Sequence, residues 1–173
     1  LFISLSHKIL KILPYRLIRI LSFPIGTLYF LLTFRSSIKL FKRKKIFETL
    51  KINYKPLIVK INYTRYWLET LWLTNKNFSK HITPHVEIEN QEYVDKLKKQ
   101  YPGLIFALPH LGNWEFAIPI GNSIKLNLLA VAEPLSNSYV LNWFKSLRES
   151  LGIEIIIGGK GQNTFELLVN KLK

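Results

Sequence analysis

The chain has 173 residues, with 25 Lys and Arg against 11 Asp and Glu, a net charge of +14. A composition 48% hydrophobic and 21% charged excludes an intrinsically disordered chain, and the length suits one ordinary domain with a real core. Cysteine is absent, which excludes a disulfide scaffold, a Cys-ligated zinc site and a Cys nucleophile. Methionine is absent too, including at position 1, and Lys173 falls inside a helical pattern. The sequence is therefore expected to be a C-terminally truncated piece of a longer protein.

The charge is uneven. Residues 1–80 hold sixteen Lys and Arg and only two acids, Glu48 and Glu69, whereas residues 81–173 hold nine of each sign. Two regions are expected: a basic, apolar helical membrane-associating region over 1–80 and an α/β core, incomplete, over 81–173. A uniformly basic nucleic-acid binder would not divide this way, so no nucleic-acid partner is expected.

In chain order, residues 5–21 (LSHKILKILPYRLIRIL) place Ile9, Ile12, Leu13, Leu17, Ile20 and their neighbours at helical spacing, with cations between. The uncharged run over 20–34 (ILSFPIGTLYFLLTF) is interrupted by Pro24 and Gly26. It falls short of the roughly 17–25 residues of a membrane span. Lys8, Lys11, Arg16 and Arg19 precede it, and Arg35, Lys39 and the KRKK run over 42–45 follow. Basic flanks on both sides suit a segment lying in the interface of an anionic membrane. A tilted span extended into its neighbours is the alternative. A cleaved signal peptide fits poorly, because Pro14 and several Arg break its front. The spacing predicts a helix over 57–73 (LIVKINYTRYWLETLWL), its aromatic stripe read as core. Residues 74–88 hold turn formers and Pro84 and are expected to be a linker. His81 and His85 lie four apart, but Pro84 between them and the lack of a third ligand argue against a metal site.

From residue 89 the pattern changes. A short charged helix is expected over 90–100, capped by Asn90, then a turn at Pro102 and Gly103. Residues 104–108 (LIFAL), 126–132 (LNLLAVA) and 153–157 (IEIII) read as buried strands. Helices are expected from 114, over 137–151 and over 164–172. Apolar strands alternating with helices predict an α/β fold with a mostly parallel sheet flanked by helices. Ligands of such sheets bind at the carboxyl ends of strands, which directs attention to the loops over 109–113, 133–137 and 158–163.

The first loop carries His110, Gly112, Asn113 and, as a helix begins, Glu115. A His leaving a strand can serve as a general base, since its ordinary pKa lies near 6.5. Glu115 can reach back to the second ring nitrogen, fix the tautomer and stabilise the imidazolium. No Ser or Cys accompanies the pair, so the nucleophile would be a hydroxyl of the substrate. The backbone N–H groups of Gly112 and Asn113 can hold a developing oxyanion. Glu133 leaves the second strand, where an acid can accept from a sugar or polyol hydroxyl. Arg148 can face a phosphate or a carboxylate, or pair on the surface with neighbours around Lys145 and Glu149. The GGKG run over 158–161 lacks the features of a Walker motif and reads as a tight turn.

The segments FALPHLGNWEFA, VAEPL and FKSLRESLGIEII, in this order, resemble the lysophospholipid acyltransferase superfamily and, within it, the lipid A biosynthesis acyltransferase-like branch. They are most similar to the phosphatidylinositol mannoside acyltransferases. The likeness covers most of the chain and is most specific over residues 104–157. It implies an O-acyltransferase at the cytoplasmic face of the bacterial plasma membrane, peripheral or monotopic. The donor would be acyl-CoA or acyl carrier protein, with no other cofactor, and the acceptor a glycolipid hydroxyl among anionic lipids. It implies His110 as base, Glu115 as its acidic partner, and Glu133 and Arg148 beside the acceptor. The mannoside-specific branch often has Asp where Glu115 stands, and the lipid A branch usually has Glu. A lipid A lauroyl- or myristoyltransferase is therefore the runner-up. Family members carry a further stretch, with another acidic residue thought to support the histidine, after the point where this sequence ends. From a different class, a non-catalytic basic membrane- or nucleic-acid-binding protein would tolerate His110→Ala.

Overall fold

The computed structural model describes residues 2–34, 49, 55–109, 111–158 and 163–172. The chain divides into two compact units, Leu1–Leu73 and Thr74–Lys173.

The first unit is helical. Helix α1 covers Phe2–Leu10, α2 covers Tyr15–Leu32 and α3 covers Pro56–Trp72. The helical spacing over 5–21 is thus split between α1 and α2. Pro14 stands at the break with ψ 139° and no amide to donate, so the helix restarts behind it. Pro24 does not end α2, which runs on through it to Leu32.

Helices α2 and α3 lie antiparallel, as their contacts show. Tyr15 packs at a tilt against Trp72, ring centres 4.9 Å apart, and donates its hydroxyl to Glu69 at 3.0 Å. At the other end Tyr29 stacks against Tyr63 at 6.3 Å, with the Lys60 ammonium 4.3 Å from the Tyr29 ring centre. Between them Ile18, Ser22 and Gly26 form the buried stripe of α2, one residue per helical turn. Gly26 is required there, because a Cβ would come within 2.6 Å of the Ile61 Cα. Trp72 is fully buried and donates from Nε1 to the Leu13 carbonyl at 2.9 Å. His7 Nδ1 donates to the Leu71 carbonyl at 2.8 Å and ties α1 to the end of α3. The outer face of α2 is bare: Ile20 is 66% exposed, and Phe23 and Leu31 are exposed to similar degrees. By length and composition α2 is apolar enough to cross a membrane.

In the second unit α4 covers Asn75–His81, inside the stretch expected to be a linker. Its capping signal is Thr74, whose side chain accepts from the Asn77 amide at 3.1 Å. Helix α5 covers Gln91–Gln100. Asn90 precedes it but does not cap it: its backbone is left-handed at φ 56° and its side chain accepts no helical amide. Helix α6 covers Ala117–Ser123, β1 covers Leu128–Ala132, α7 covers Ser138–Ser150, β2 covers Ile153–Ile157 and α8 covers Thr164–Leu172. Lys98 on α5 donates to the Ile124 carbonyl at 2.9 Å, just past the end of α6.

Strands β1 and β2 are parallel, in register from Leu128 opposite Ile153 to Ala132 opposite Ile157. With α7 as crossover they form one βαβ unit. The core gathers Phe144, Leu147 and Leu151 from the α7 face and Ile153 and Ile155 from β2. Ile153 and Ile155 bury one face of β2, and on the other Ile156 is half-buried. Glu154 is exposed on that second face and pairs with Lys171 of α8 at 3.0 Å.

The expected strand over 104–108 does not form among the described residues, where the sheet has two strands. Ile105 is 87% exposed, and Phe106 and Leu108 are exposed as well. A run apolar on both faces becomes a strand only with a ladder partner and cover on each side, and among the described residues no strand pairs with this segment.

Candidate active site

The loop after residues 104–109 re-enters helical structure through a local device. Gly112 turns the chain with φ 62°, a left-handed conformation that glycine adopts without strain. A Cβ there would meet nothing described within 4 Å, so the turn borders open space. Asn113 then accepts from the Glu115 amide at 3.1 Å through its side-chain oxygen and starts a 3-10 turn over Trp114–Phe116. Phe116 packs edge-on against Phe78 at 5.7 Å, holding this turn against α4.

The turn delivers Glu115 into the interior, where it is 1% exposed. Arg148 on α7 meets it with both arms of its guanidinium. Nε donates to Oε2 at 3.0 Å and Nη2 donates to Oε1 at 2.7 Å. The Arg148 side chain is 22% exposed and lies 5.1 Å from the Phe144 ring centre. This fork fixes the carboxylate plane more tightly than a single contact would.

Of the residues singled out from sequence, the structure brings together Glu115, Arg148 and Asn113, with Gly112 on the same loop. His110 lies outside the described residues, as do residues 159–162 and the KRKK run over 42–45. Glu133 is exposed, immediately beyond the carboxyl end of β1. There Gly158 donates to the Ala132 carbonyl at 2.9 Å, so the two strand ends stay side by side. No hydrogen bond or ion pair joins Glu133 to the Glu115–Arg148 pair. Lys145, not Arg148, pairs with Glu149, at 3.7 Å on the exposed side of α7. His81 ends α4 and His85 sits in a 3-10 turn. Among the described residues no group of three or more His, Asp or Glu stands close enough to hold a metal ion.

Sequence reasoning offered Arg148 a carboxylate in general but missed Glu115 as its partner. The signal was present. Phe144 and Leu147 are buried on α7 and Leu151 just beyond its end, and Arg148 falls four residues after Phe144, at helical spacing. A cation at the edge of an apolar stripe calls for a buried acid.

The buried acid and its arginine thus stand behind a Gly-Asn turn, in a unit built on a parallel βαβ motif. The profile of the bacterial lipid A biosynthesis acyltransferases matches residues 5–173, and the chain belongs to that family. Curated relatives narrow the likeness further. A phosphatidylinositol mannoside acyltransferase of Mycobacterium tuberculosis is 30% identical over 115 residues, 65% of this chain and 36% of the relative. The protein of the same name from Mycolicibacterium smegmatis is 29% identical, over 64% of this chain and 36% of the relative. The chain thus spans about a third of the length of the curated relatives it matches.

Proposed function

We propose that this chain carries the base-bearing portion of a membrane-associated O-acyltransferase, which moves a fatty acyl group from a thioester to a glycolipid hydroxyl. His110 takes the proton from the acceptor hydroxyl as its oxygen attacks the thioester carbonyl. A tetrahedral oxyanion forms, and the backbone N–H groups of Gly112 and Asn113 steady it. The intermediate collapses with cleavage of the carbon–sulfur bond, and the thiolate takes the proton back from the imidazolium. The products are an ester and a free thiol, with no covalent enzyme intermediate. Glu115 stabilises the imidazolium, and Arg148 holds Glu115 in place. Glu133, at the mouth of the sheet, accepts from acceptor hydroxyls.

The observation that carries this reading is the buried, doubly bonded Glu115–Arg148 pair placed five residues after His110. A carboxylate is seldom enclosed so fully without a task of orientation or charge. The acceptor is a phosphatidylinositol mannoside, on the likeness to relatives of that name. The donor is acyl-CoA or acyl carrier protein, and the site of action is the cytoplasmic face of the plasma membrane. A lipid A precursor is the second acceptor to test, because Glu115 stands where the mannoside-specific branch often has Asp.

The test is acyl transfer from palmitoyl-CoA to a phosphatidylinositol mannoside, in membranes of cells expressing the protein, with His110→Ala alongside. Transfer that vanishes in the variant while the protein stays membrane-bound is the expected result. No transfer, followed by none to a lipid A precursor with acyl carrier protein as donor, overturns the enzymatic reading. Activity intact in His110→Ala removes the base.

A further inference from the structure

The helical unit contains an arginine that its own fold does not satisfy. Arg65, half-buried on α3, has an enclosed Nε that donates to nothing among the described residues. The carboxylate one turn further along, Glu69, is 6% exposed and accepts instead from Tyr15. An enclosed donor left unmet is destabilising.

The surroundings of this arginine are cationic at one end of the helix pair and apolar at the other. Because α2 and α3 run antiparallel, with Tyr15 beside Glu69 and Gly26 beside Ile61, Arg65 is level with residues near Arg19 and Ser22. Arg16 and Arg19 are exposed on the first turns of α2, and Lys11 precedes them. Beyond Arg19 the outer face of α2 turns apolar, through Ile20, Phe23 and Leu31. Burial, and then the charge of Glu69, push the Tyr15 hydroxyl up to about 12, while Arg19 and Arg65 pull the other way. Both cations are therefore near enough to act on the same hydroxyl.

We propose that Arg65 and Arg19 bind the phosphate of an anionic phospholipid headgroup, at the point where the exposed apolar face of α2 enters the acyl chains. Arg65 meets a phosphate at the surface only by turning its outer side-chain bonds, and its Nε–Nη edge then offers two donors to the phosphate's acceptors. Charge complementarity favours this occupant: residues 1–80 hold sixteen cations and two acids. The adjoining apolar face favours a lipid over a soluble anion. The helix pair then lies in the interface with α2 facing the chains, rather than crossing the bilayer. The site rests on the membrane placement in the proposed function but not on the acyl transfer.

Binding of the 173-residue protein to phosphatidylcholine vesicles, with and without phosphatidylglycerol, tests it through Trp fluorescence. Lys8→Gln is the control for charge alone. A single cation near an anionic surface contributes about 1 kcal/mol, so the control weakens binding about fivefold. Arg65→Gln is expected to weaken phosphatidylglycerol-dependent binding at least about tenfold, as for a bond to a charged group. Arg65→Lys, which keeps the charge and loses the fork, is expected to weaken it as well. Unchanged melting of the variants shows that the fold is intact. Arg65→Gln equal to Lys8→Gln, or Arg65→Lys equal to wild type, overturns the site in favour of diffuse attraction. Displacement of wild type by millimolar inorganic phosphate at constant ionic strength overturns the lipid as its source. No binding to either vesicle removes the membrane placement itself, an outcome separate from any failure of acyl transfer.

Discussion

Removing Arg148 tests whether Glu115 is held from one side. Glu115 is 1% exposed, whereas the Arg148 side chain is 22% exposed. Arg148→Ala takes two bonds from a carboxylate that water cannot reach, while Glu115→Leu leaves a guanidinium that water can. The two truncations are therefore unequal. Breaking a buried pair costs about 3–5 kcal/mol, and partial access on the arginine side places Arg148→Ala near the lower end, about 3 kcal/mol. For a unit of about 100 residues, at roughly 4–8 °C per kcal/mol, the expected fall in Tm is about 15 °C. Glu115→Leu should cost about half as much, and Glu115→Leu with Arg148→Met should recover most of the loss, since an apolar pair of similar volume often matches a buried ion pair. Arg148→Lys surrenders the fork and one of the two bonds, and should cost about 1.5–2 kcal/mol. Thermal melts of the four variants decide it. A shift under about 2 °C for Arg148→Ala, a larger loss for Glu115→Leu, or strict additivity in the double variant would refute the reasoning.

Three further outcomes follow from the geometry. Gly26→Val should separate α2 from α3, because its Cβ would lie 2.6 Å from the Ile61 Cα; a loss of about 2–3 kcal/mol in urea unfolding is expected. Tyr15 holds its proton in the folded state from about pH 10, its ordinary value, to about 12, so stability should fall as pH rises through that window; the Tyr15→Phe variant, followed by circular dichroism, should lose this slope. Gly152→Ala meets both a left-handed φ of 97° and the Asn122 amide nitrogen 2.6 Å from the new Cβ, and should cost about 1–3 kcal/mol in the same melts.

The sequence was most legible where one local signal decided the outcome. Helix α3 begins at Pro56, as its apolar spacing predicts from 57 onward, and β1, α7 and β2 fall close to their expected places. It was least legible where the deciding partner is remote. The LIFAL run over 104–108 has strand composition, but a strand is a pairing between segments, and composition does not disclose the pairing. Asn90 looks like a cap by type, yet its backbone is left-handed and its side chain makes no capping bond, and Thr74 performs that service on a helix hidden in an apparent linker. In the candidate site the turn at Gly112 and Asn113 was readable, because turns are local. The joining of Glu115 to Arg148 spans 33 positions and depends on how α7 packs, which no short window contains.

That span has a consequence for cooperativity. Glu115 precedes β1 and Arg148 lies near the end of α7, so their bonds close a ring of chain around α6, β1 and most of the crossover helix. Opening the carboxylate to water therefore means lifting α7 from the sheet, and peeling α7 away means stranding the carboxylate. The amides of β1 and of the turn over Trp114–Phe116 should exchange with solvent as one block, with a common free energy of opening. A site wired in this way does not fray ahead of its scaffold.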